Sequence, residues 1–414
     1  MNTRACYVRL LLLLALSFGL THARPAVAQL AVRVERVDGD AVNGQWVAGS
    51  MQQVVVEDAT KKRTTLPTEA IVSLHVGDAG SRTFPVAAGL PWLLLASGER
   101  LQAAPSVIDD TFLTASLRQF QNLKPFQVPL ESCRGATLSL PTDPTRQGLE
   151  LRRIMTRAGD SDLLTLRNAD RIEGELQGLS DGKFQTQTTL GKVASEMSAV
   201  QSVAFNPKLV SLPKKSPRQC LVLLVDGSIL QLAELTVSGQ FLIAKSVSGF
   251  AIELPTALVA EMRFSGGRVE NLSEREPSAV DSTGFLAVKR APLRDGNVLG
   301  GPLVMRGVPI ACGWGMLSGT TAEWELGGRY VGFSAIVGVD DAAAGSGSVE
   351  FEVLGDGRSL WRSKVLTGRD EPLRTPLVEV KGVKTLALRV HAADFGHVGD
   401  YADWGHSYLL RIQP

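Results

Sequence analysis

The sequence predicts an all-β protein in which four copies of a small β unit precede a larger β-sandwich. Glycine is abundant, at 41 of 414 residues, and aromatic residues are few, which is typical of short strands joined by tight turns. A repeated pattern extends from about residue 30 to residue 265. From residue 282 onward, longer runs alternate apolar and polar side chains, as strands of a sandwich do. The length itself accommodates about two to four domains.

The first 28 residues have the features of a signal peptide. Arg4 and Arg9 form a positive segment, residues 10–20 form an apolar segment, and Ala26-Val27-Ala28 supplies the small residues of a cleavage site. The apolar run is short for a membrane span, although an N-terminal anchor helix is the alternative. We therefore expect an exported protein (periplasmic, cell-surface or extracellular) with no membrane span after cleavage.

Charge and cysteine content restrict the function further. The 43 basic and 42 acidic residues nearly balance, which argues against a nucleic-acid partner, since such proteins need a basic surface. Cys6 leaves with the signal peptide, and Cys133, Cys220 and Cys312 are widely spaced without a CxxC pair. This spacing does not indicate a zinc site. Three buried thiols are the favoured interpretation, and one disulfide with a leftover thiol is the alternative.

Each repeated unit consists of a strand, an Asp-Gly type of turn, a second strand, another hairpin and a short last strand. Asp-Gly suits a tight hairpin because glycine accepts a positive φ. The turn positions 39, 98, 169 and 227 are alternately closer together and farther apart. This spacing predicts two pairs of units, with units one and two in residues 29–150 and units three and four in residues 151–265. The seam between the pairs is expected near residues 141–157.

Five short strands in about 45 residues suit a small closed barrel better than a sandwich. The pattern resembles SH3-like or Sm-like small barrels. The acids of the units lie at turns, so no catalytic chemistry is visible there. Small barrels can bind peptides along a groove, and envelope proteins are accordingly candidate partners of these repeats. The polar segment 266–281 is interpreted as a linker.

Residues 282–414 contain the most specific motifs of the chain. Val349–Val353 alternates apolar and polar side chains, Tyr330–Val339 alternates large and small apolar residues, and Gly355-Asp356-Gly357 is typical of a hairpin turn. Further motifs are Gly301-Pro302-Leu303, Gly313-Trp314-Gly315 and Ala402-Asp403-Trp404.

Together these motifs resemble the NPCBM domain, the novel putative carbohydrate-binding module. The resemblance implies a galactose-binding-like β-sandwich (a jelly roll), a glycan or polysaccharide partner and a structural calcium ion. Two departures weaken its implications for the ligand. The usual Gly-x-Gly-x-His-Ala becomes Gly313–Ser318 without the histidine, and the usual Asp-His-Ala-Asp-Trp has Tyr401 in second place.

Two groups of residues are candidate binding sites in this domain. Carboxylates and free carbonyl groups suit Ca²⁺, and turn-capping acids are the alternative interpretation. The calcium candidates are Asp340, Asp341 and Asp403. An aromatic face can stack on sugar C–H groups while carboxylates and imidazoles bind hydroxyl groups. The carbohydrate-binding candidates are Trp404, Asp403, Tyr401, His391 and His397, with His406 nearby. Core packing of Trp404 is the alternative, because a strand follows it.

The favoured function is an exported, non-catalytic carbohydrate-binding protein in which the repeats are a scaffold. One alternative is a structural or protein-interaction protein of the cell envelope whose sandwich has lost sugar binding. Another is a glycoside hydrolase, since such modules accompany catalytic domains. Hydrolysis needs two carboxylates facing each other in the cleft of a sizeable fold, and units of about 45 residues do not provide one.

Overall fold

The computed structural model describes residues 30–77, 84, 88–120, 122–214, 216–282, 290–393 and 396–412. The predicted signal peptide lies outside these residues. Strands dominate the described part of the chain, so the predicted all-β class is confirmed. None of the helices in these ranges has the length and hydropathy to cross a membrane.

Four successive units share one order of strands. Unit one contains β1 Ala31–Arg36, β2 Ala41–Ser50, β3 Gln53–Glu57, β4 Arg63–Pro67 and β5 Ile71–Val76. Unit two contains β6 Trp92–Leu95, β7 Arg100–Leu101, β8 Ala103–Ile108, β9 Phe112–Leu117, β10 Phe126–Pro129 and β11 Cys133–Thr137. Unit three contains β12 Asp162–Leu166, β13 Arg171–Ser180, β14 Lys183–Thr188, β15 Gly191–Glu196 and β16 Val200–Ala204. Unit four contains β17 Gln219–Leu224, β18 Ile229–Ser238, β19 Phe241–Ser246, β20 Ala251–Pro255 and β21 Val259–Ser265.

The first strand of each unit pairs antiparallel with both the second and the last strand. A single 3-10 turn precedes the last strand each time, for example at Thr68–Ala70 and Thr256–Leu258. Local chemistry explains the first turn, because Gly39 has a φ of +90° and the Asp38 carboxylate accepts a hydrogen bond from the Asp40 amide. The likeness of the units to SH3-like barrels stays a prediction.

The pairing of units predicted from the turn spacing is wrong. Strand β5 of unit one pairs with β21 of unit four, with His75 opposite Glu261, and β2 pairs with β18. Unit two joins unit three through β11 and β16. The predicted seam is occupied by helix α1 (Pro144–Met155), which begins after Asp143, whose side chain accepts from the Arg146 amide. Spacing along the chain does not select partners, because strand edges pair in space.

The C-terminal region folds into two facing sheets. The first sheet contains β22 Val269–Asn271, β24 Leu293–Arg294, β27 Gly313–Leu317, β29 Tyr330–Val339, β33 Leu373–Arg374, β34 Val378–Glu379 and β36 Tyr401–Arg411. The second contains β23 Ala279–Ser282, β28 Thr320–Glu325, β30 Ser348–Gly355, β31 Arg358–Arg362, β32 Leu366–Thr367 and β35 Thr385–Ala392. A separate hairpin is formed by β25 Leu303–Met305 and β26 Val308–Ile310.

The interpretation of residues 266–281 as a linker is also corrected. Strand β22 pairs with β36 and strand β23 pairs with β28, so both belong to the sandwich. Polar residues of this segment form hydrogen bonds with the sandwich. The Glu270 carboxylate in β22 accepts hydrogen bonds from Arg275, Arg411 and the Tyr330 hydroxyl. The other predicted domain boundaries stay predictions.

Buried cysteines are confirmed. Cys133, Cys220 and Cys312 are free and buried. Burial raises the pKa of each thiol, because a thiolate would lose its hydration inside the core.

The repeats and the sandwich touch along a polar junction. Arg374 of the sandwich lies 3.3 Å from the Glu35 carboxylate of unit one. Helix α1 approaches closely enough that a Cβ at Gly148 would meet the Leu299 carbonyl oxygen at 2.8 Å. His406 reaches Glu261 of unit four at 3.6 Å. Such contacts hold the two regions in a defined arrangement.

Candidate functional site

One end of the sandwich gathers its long loops. Strands β27, β29 and β35 end there, and β28, β30 and β36 begin there. We call this region the loop end and define it by residues 318–319, 340–347 and 396–400. Loops carried on a rigid sandwich are a common place for a binding site, because the strands hold them in position.

Two predicted carbohydrate-binding residues, His397 and Tyr401, lie at or next to the loop end. His397 Nδ1 lies 2.7 Å from the Ser318 hydroxyl, and Tyr401 is partly buried against the sandwich core. Val398 beside them is 87% exposed. Ser318 was not among the predicted site residues. Its position in a two-residue turn between strands β27 and β28 was the available indication.

The proposed role of Trp404 as a sugar platform is wrong. Trp404 is completely buried, with 0% exposure, and its ring meets the Phe351 ring edge-on at a centroid distance of 5.1 Å. Phe333 packs against it at 6.4 Å. Strand β36 alternates its side chains, so Trp404 faces the opposing sheet. The alternative, core packing, is the observed one.

His391 lies apart from the loop-end pair, on the outer face of the second sheet. Its Nε2 is 2.8 Å from the Glu352 carboxylate, and Arg389 lies 3.5 Å from the same group. Burial acts to raise the pKa of Glu352, but the hydrogen bond from His391 and the nearby positive charges outweigh it and lower that pKa. His391 therefore takes part in an ion group of the sheet surface.

The three predicted calcium ligands do not converge on one point. Asp340 is 1% exposed, and its carboxylate accepts hydrogen bonds from Asn297 Nδ2 and from the amides of Val304 and Ala342. Asp341 instead binds the amides of residues 306 and 307 near the surface.

Asp403 is the partner of Asp340. It is completely buried, and its oxygens receive no N–H donor from the described residues. Burial, together with the negative charge of Asp340, raises the pKa of Asp403 well above its usual value. Burial also raises the pKa of Asp340 to about 6, although its N–H donors oppose this. The arrangement favours an ionised Asp340 beside a protonated Asp403.

This geometry does not fit a calcium ion. Calcium takes six to eight oxygen ligands, whereas the N–H groups around Asp340 occupy the positions that a cation would need. Within the described ranges, no three His, Cys, Asp or Glu side chains are arranged to hold a metal. The calcium assignment stays a prediction, and a proton held by the Asp340–Asp403 pair is the alternative that their raised pKa values favour.

Substitution of Asp403 separates these two explanations. Because an amide imitates the neutral carboxyl, we expect Asp403→Asn to raise the free energy of unfolding at pH 7 by about 1.4 kcal/mol or more. This is the free energy that corresponds to a pKa shift of one unit. An acid with a raised pKa destabilises the fold as pH rises from its unfolded value, near 4, through the folded one. The gain should therefore vanish below pH 4. Urea unfolding at both pH values measures it.

The matched control is Asp341→Asn, at the neighbouring acid that accepts hydrogen bonds from the amides of residues 306 and 307 near the surface. We expect it to lower the free energy of unfolding at pH 7 by about 0.5–1.5 kcal/mol. A calcium site would behave differently, since Asp403→Asn would then be destabilising and EDTA would lower the melting temperature of the wild type.

Comparisons with known proteins match this region of the chain. Residues 269–410 match the family model of the NPCBM/NEW2 domain. A putative endo-alpha-N-acetylgalactosaminidase of Renibacterium salmoninarum is 30% identical over 115 residues, which are 28% of this chain and 8% of that protein. The chain therefore spans only a small part of that relative.

Two solved structures are also similar. The CBM51 module from Clostridium perfringens GH95, in complex with methyl-galactose, is 25% identical, covering 34% of this chain and 99% of that one, with a TM-score of 0.31. The CBM51-2 and INT domains of Clostridium perfringens ZmpB, in complex with GlcNAc, are 21% identical, covering 43% of this chain and 37% of that one, with a TM-score of 0.32.

The C-terminal region therefore combines a two-sheet fold with a match to the NPCBM/NEW2 domain model. The motifs between residues 301 and 404 indicated the same family. The domain begins at residue 269, before the predicted start at residue 282, because β22 contributes to its first sheet.

Proposed function

We propose that this chain is an exported, non-catalytic protein that binds a glycan at the loop end of its C-terminal sandwich, with the four repeats as a scaffold. The observation that carries the proposal is the NPCBM/NEW2 match over residues 269–410. Export is supported by the signal-peptide pattern of residues 1–28.

The chemistry of the loop end supports glycan binding. The buried Ser318 hydroxyl is hydrogen-bonded to Nδ1 of His397 and so holds that half-buried imidazole in place, and Tyr401 in the adjoining strand is also half-buried. An imidazole exchanges hydrogen bonds with sugar hydroxyls, and an aromatic edge can contact sugar C–H groups. Exposed Val398 adds apolar surface next to them. These groups can bind a neutral polar ligand without a metal.

The carboxyl groups of this region support a non-catalytic role. Asp340 and Asp403 lie together but are buried beneath the loop end. A glycosidase needs one carboxyl group to protonate the leaving oxygen and another to act on the sugar or on water, both in contact with substrate. This buried pair cannot reach a glycosidic bond.

A glycan-array experiment on the purified full chain tests the proposal. We expect binding to at least one glycan class, with galactose and N-acetylglucosamine epitopes included among those presented. His397→Ala should weaken that binding at least about tenfold, since one hydrogen-bonded contact contributes about 1.4 kcal/mol or more when its partner is charged or buried.

The matched control is Arg358→Ala, at the exposed β30–β31 hairpin away from the loop end. It should leave binding unchanged. Binding to no glycan by the folded wild type would contradict the proposal and would favour an envelope protein that acts through protein contacts. Hydrolysis of an array glycan would contradict its non-catalytic part.

A further inference from the structure

A polar cleft of about 390 Å³ lies where unit two, unit four and the sandwich meet. We call it the junction cleft. Its sandwich wall follows the ends of β27 and β36 that are distant from the loop end. It is lined by residues of unit two between 96 and 99, of unit four between 219 and 247 and of the sandwich between 270 and 312.

The wall from unit two is preorganised. Glu99 is 1% exposed, yet its carboxylate accepts hydrogen bonds from the Gln231 amide at 2.9 Å and from the Ser246 hydroxyl at 2.7 Å. Ser97 donates to it at 2.8 Å. Because these donors come from two different units, they hold this part of the cleft rigid before any ligand arrives.

The wall from the sandwich has an unused acceptor. Asn271 is 4% exposed, and its Nδ2 donates to the Glu274 carboxylate at 2.9 Å. Its Oδ1 has no hydrogen-bond partner among the residues that the structure describes. A buried acceptor without a donor costs about 1–3 kcal/mol, so a donor from a ligand or a water molecule is expected there.

The charges of the cleft select the kind of ligand. Glu270 is already paired with Arg411 at 2.7 Å, and Arg294 is paired with Glu276. Lys214 also lines the cleft, but four carboxyl groups face three cationic side chains there, so an anion is disfavoured. The carboxyl oxygens of Glu274 and Asp295 can accept hydrogen bonds from hydroxyl groups.

Apolar side chains complete the lining and can contact the C–H groups of a ligand. These side chains belong to Leu221, Ile229, Val247 and Ala311. A ligand that matches both parts carries hydroxyl groups on a carbon skeleton and has no net charge. The volume is within the range of small-molecule sites and suits one or two sugar rings.

We propose that the junction cleft is a second carbohydrate site, which binds a neutral mono- or disaccharide unit between the repeats and the sandwich. The choice of ligand class rests on the proposed function, but the site is independent of the loop end. Because three parts of the chain form the cleft, a bound sugar stabilises their docked arrangement.

Titration calorimetry on the full chain tests this proposal, with lactose, cellobiose and N,N′-diacetylchitobiose as probes. Glu274→Gln keeps the size of the side chain but removes the carboxylate that Asn271 holds. We expect it to weaken one class of sites at least tenfold. Glu196→Gln is the matched control, because its side chain is 60% exposed and pairs with Lys183 in unit three, away from the cleft; it should leave both classes unchanged.

His397→Ala separates the two sites. If it abolishes all binding while Glu274→Gln has no effect, the cleft proposal is overturned and the proposed function stands. If Glu274→Gln alone weakens binding, the cleft site stands and the loop-end assignment fails. Absence of heat with every probe overturns the cleft proposal, and the glycan array then decides the proposed function separately. Melting curves check that Glu274→Gln folds, and Asn271→Ser serves as a second variant if it does not.

Discussion

Replacement of Trp404 by alanine is expected to lower the free energy of unfolding of the sandwich by about 3–5 kcal/mol. The indole ring is completely buried between the two sheets and meets the rings of Phe333 and Phe351. Removing it leaves a large apolar cavity, which the strands around it cannot close without losing their register. Urea unfolding of the full chain, followed by the fluorescence of the remaining tryptophans, measures the loss.

Two variants show whether the effect comes from packing. Trp404→Phe fills part of the cavity and should cost clearly less than Trp404→Ala. His397→Ala, at the loop end, should stay within about 0.5 kcal/mol of the wild type. A Trp404→Ala protein that kept its stability but lost glycan binding would show that the ring acts as a surface platform after all.

Acidification from pH 6.5 to pH 3 is expected to destabilise the junction by about 3–5 kcal/mol through His406 alone. His406 is 6% exposed, and its Nε2 accepts a hydrogen bond from the Ala311 amide at 3.3 Å. Burial, together with the charges of Arg263, His75 and Arg374, lowers its pKa to about 3, although Glu261 opposes the shift. The unfolded chain binds a proton below pH 6.5, whereas the folded chain does not.

Glu261 adds to this loss at lower pH. Burial acts to raise its pKa, but His406, which is charged only below about pH 3, and the permanent charge of Arg263, 2.9 Å away, lower it to about 2. A carboxylate with a lowered pKa stabilises the fold above its unfolded value of 4.5. That stabilisation is lost as pH falls towards 2. Both groups therefore make the junction sensitive to acid.

The variant His406→Asn isolates the histidine. His406 has a φ of +47°, a region that asparagine tolerates better than most residues. We expect the variant to be about 1 kcal/mol less stable at pH 7, since the hydrogen bond from Ala311 is lost. Its stability should fall less steeply between pH 6.5 and pH 3. His391→Asn, on the outer sheet face, is the control. Equal slopes in wild type and His406→Asn would refute the role of His406.

Local features of this protein could be predicted from the sequence. The turn at Asp38-Gly39 depends on a side chain that binds the amide two residues onward and on a glycine that accepts a positive φ. The alternation in Val349–Val353 places Val349, Phe351 and Val353 in the core. The NPCBM motifs were likewise contiguous in the chain, so they identified the C-terminal domain.

Contacts between distant segments could not be predicted in this way. Asp340 and Asp341 are adjacent in the chain, but one carboxylate points to Asn297 inside the sandwich and the other to a surface hairpin. In the sequence, a tryptophan next to an aspartate is compatible with either a buried or an exposed position. The ring of Phe351, which belongs to the opposing sheet, contacts the Trp404 ring and shows that Trp404 is buried.

The sequence by itself therefore determined the all-β class, the turns, the buried thiols and the family of the C-terminal domain, since each depends on side chains close together in the chain. Tertiary structure alone decided that unit one pairs with unit four, that residues 269–271 complete the sandwich, and that Asp340 faces Asp403. The physical reason is that strand edges and buried charges choose partners by proximity in space, which depends on how every unit packs.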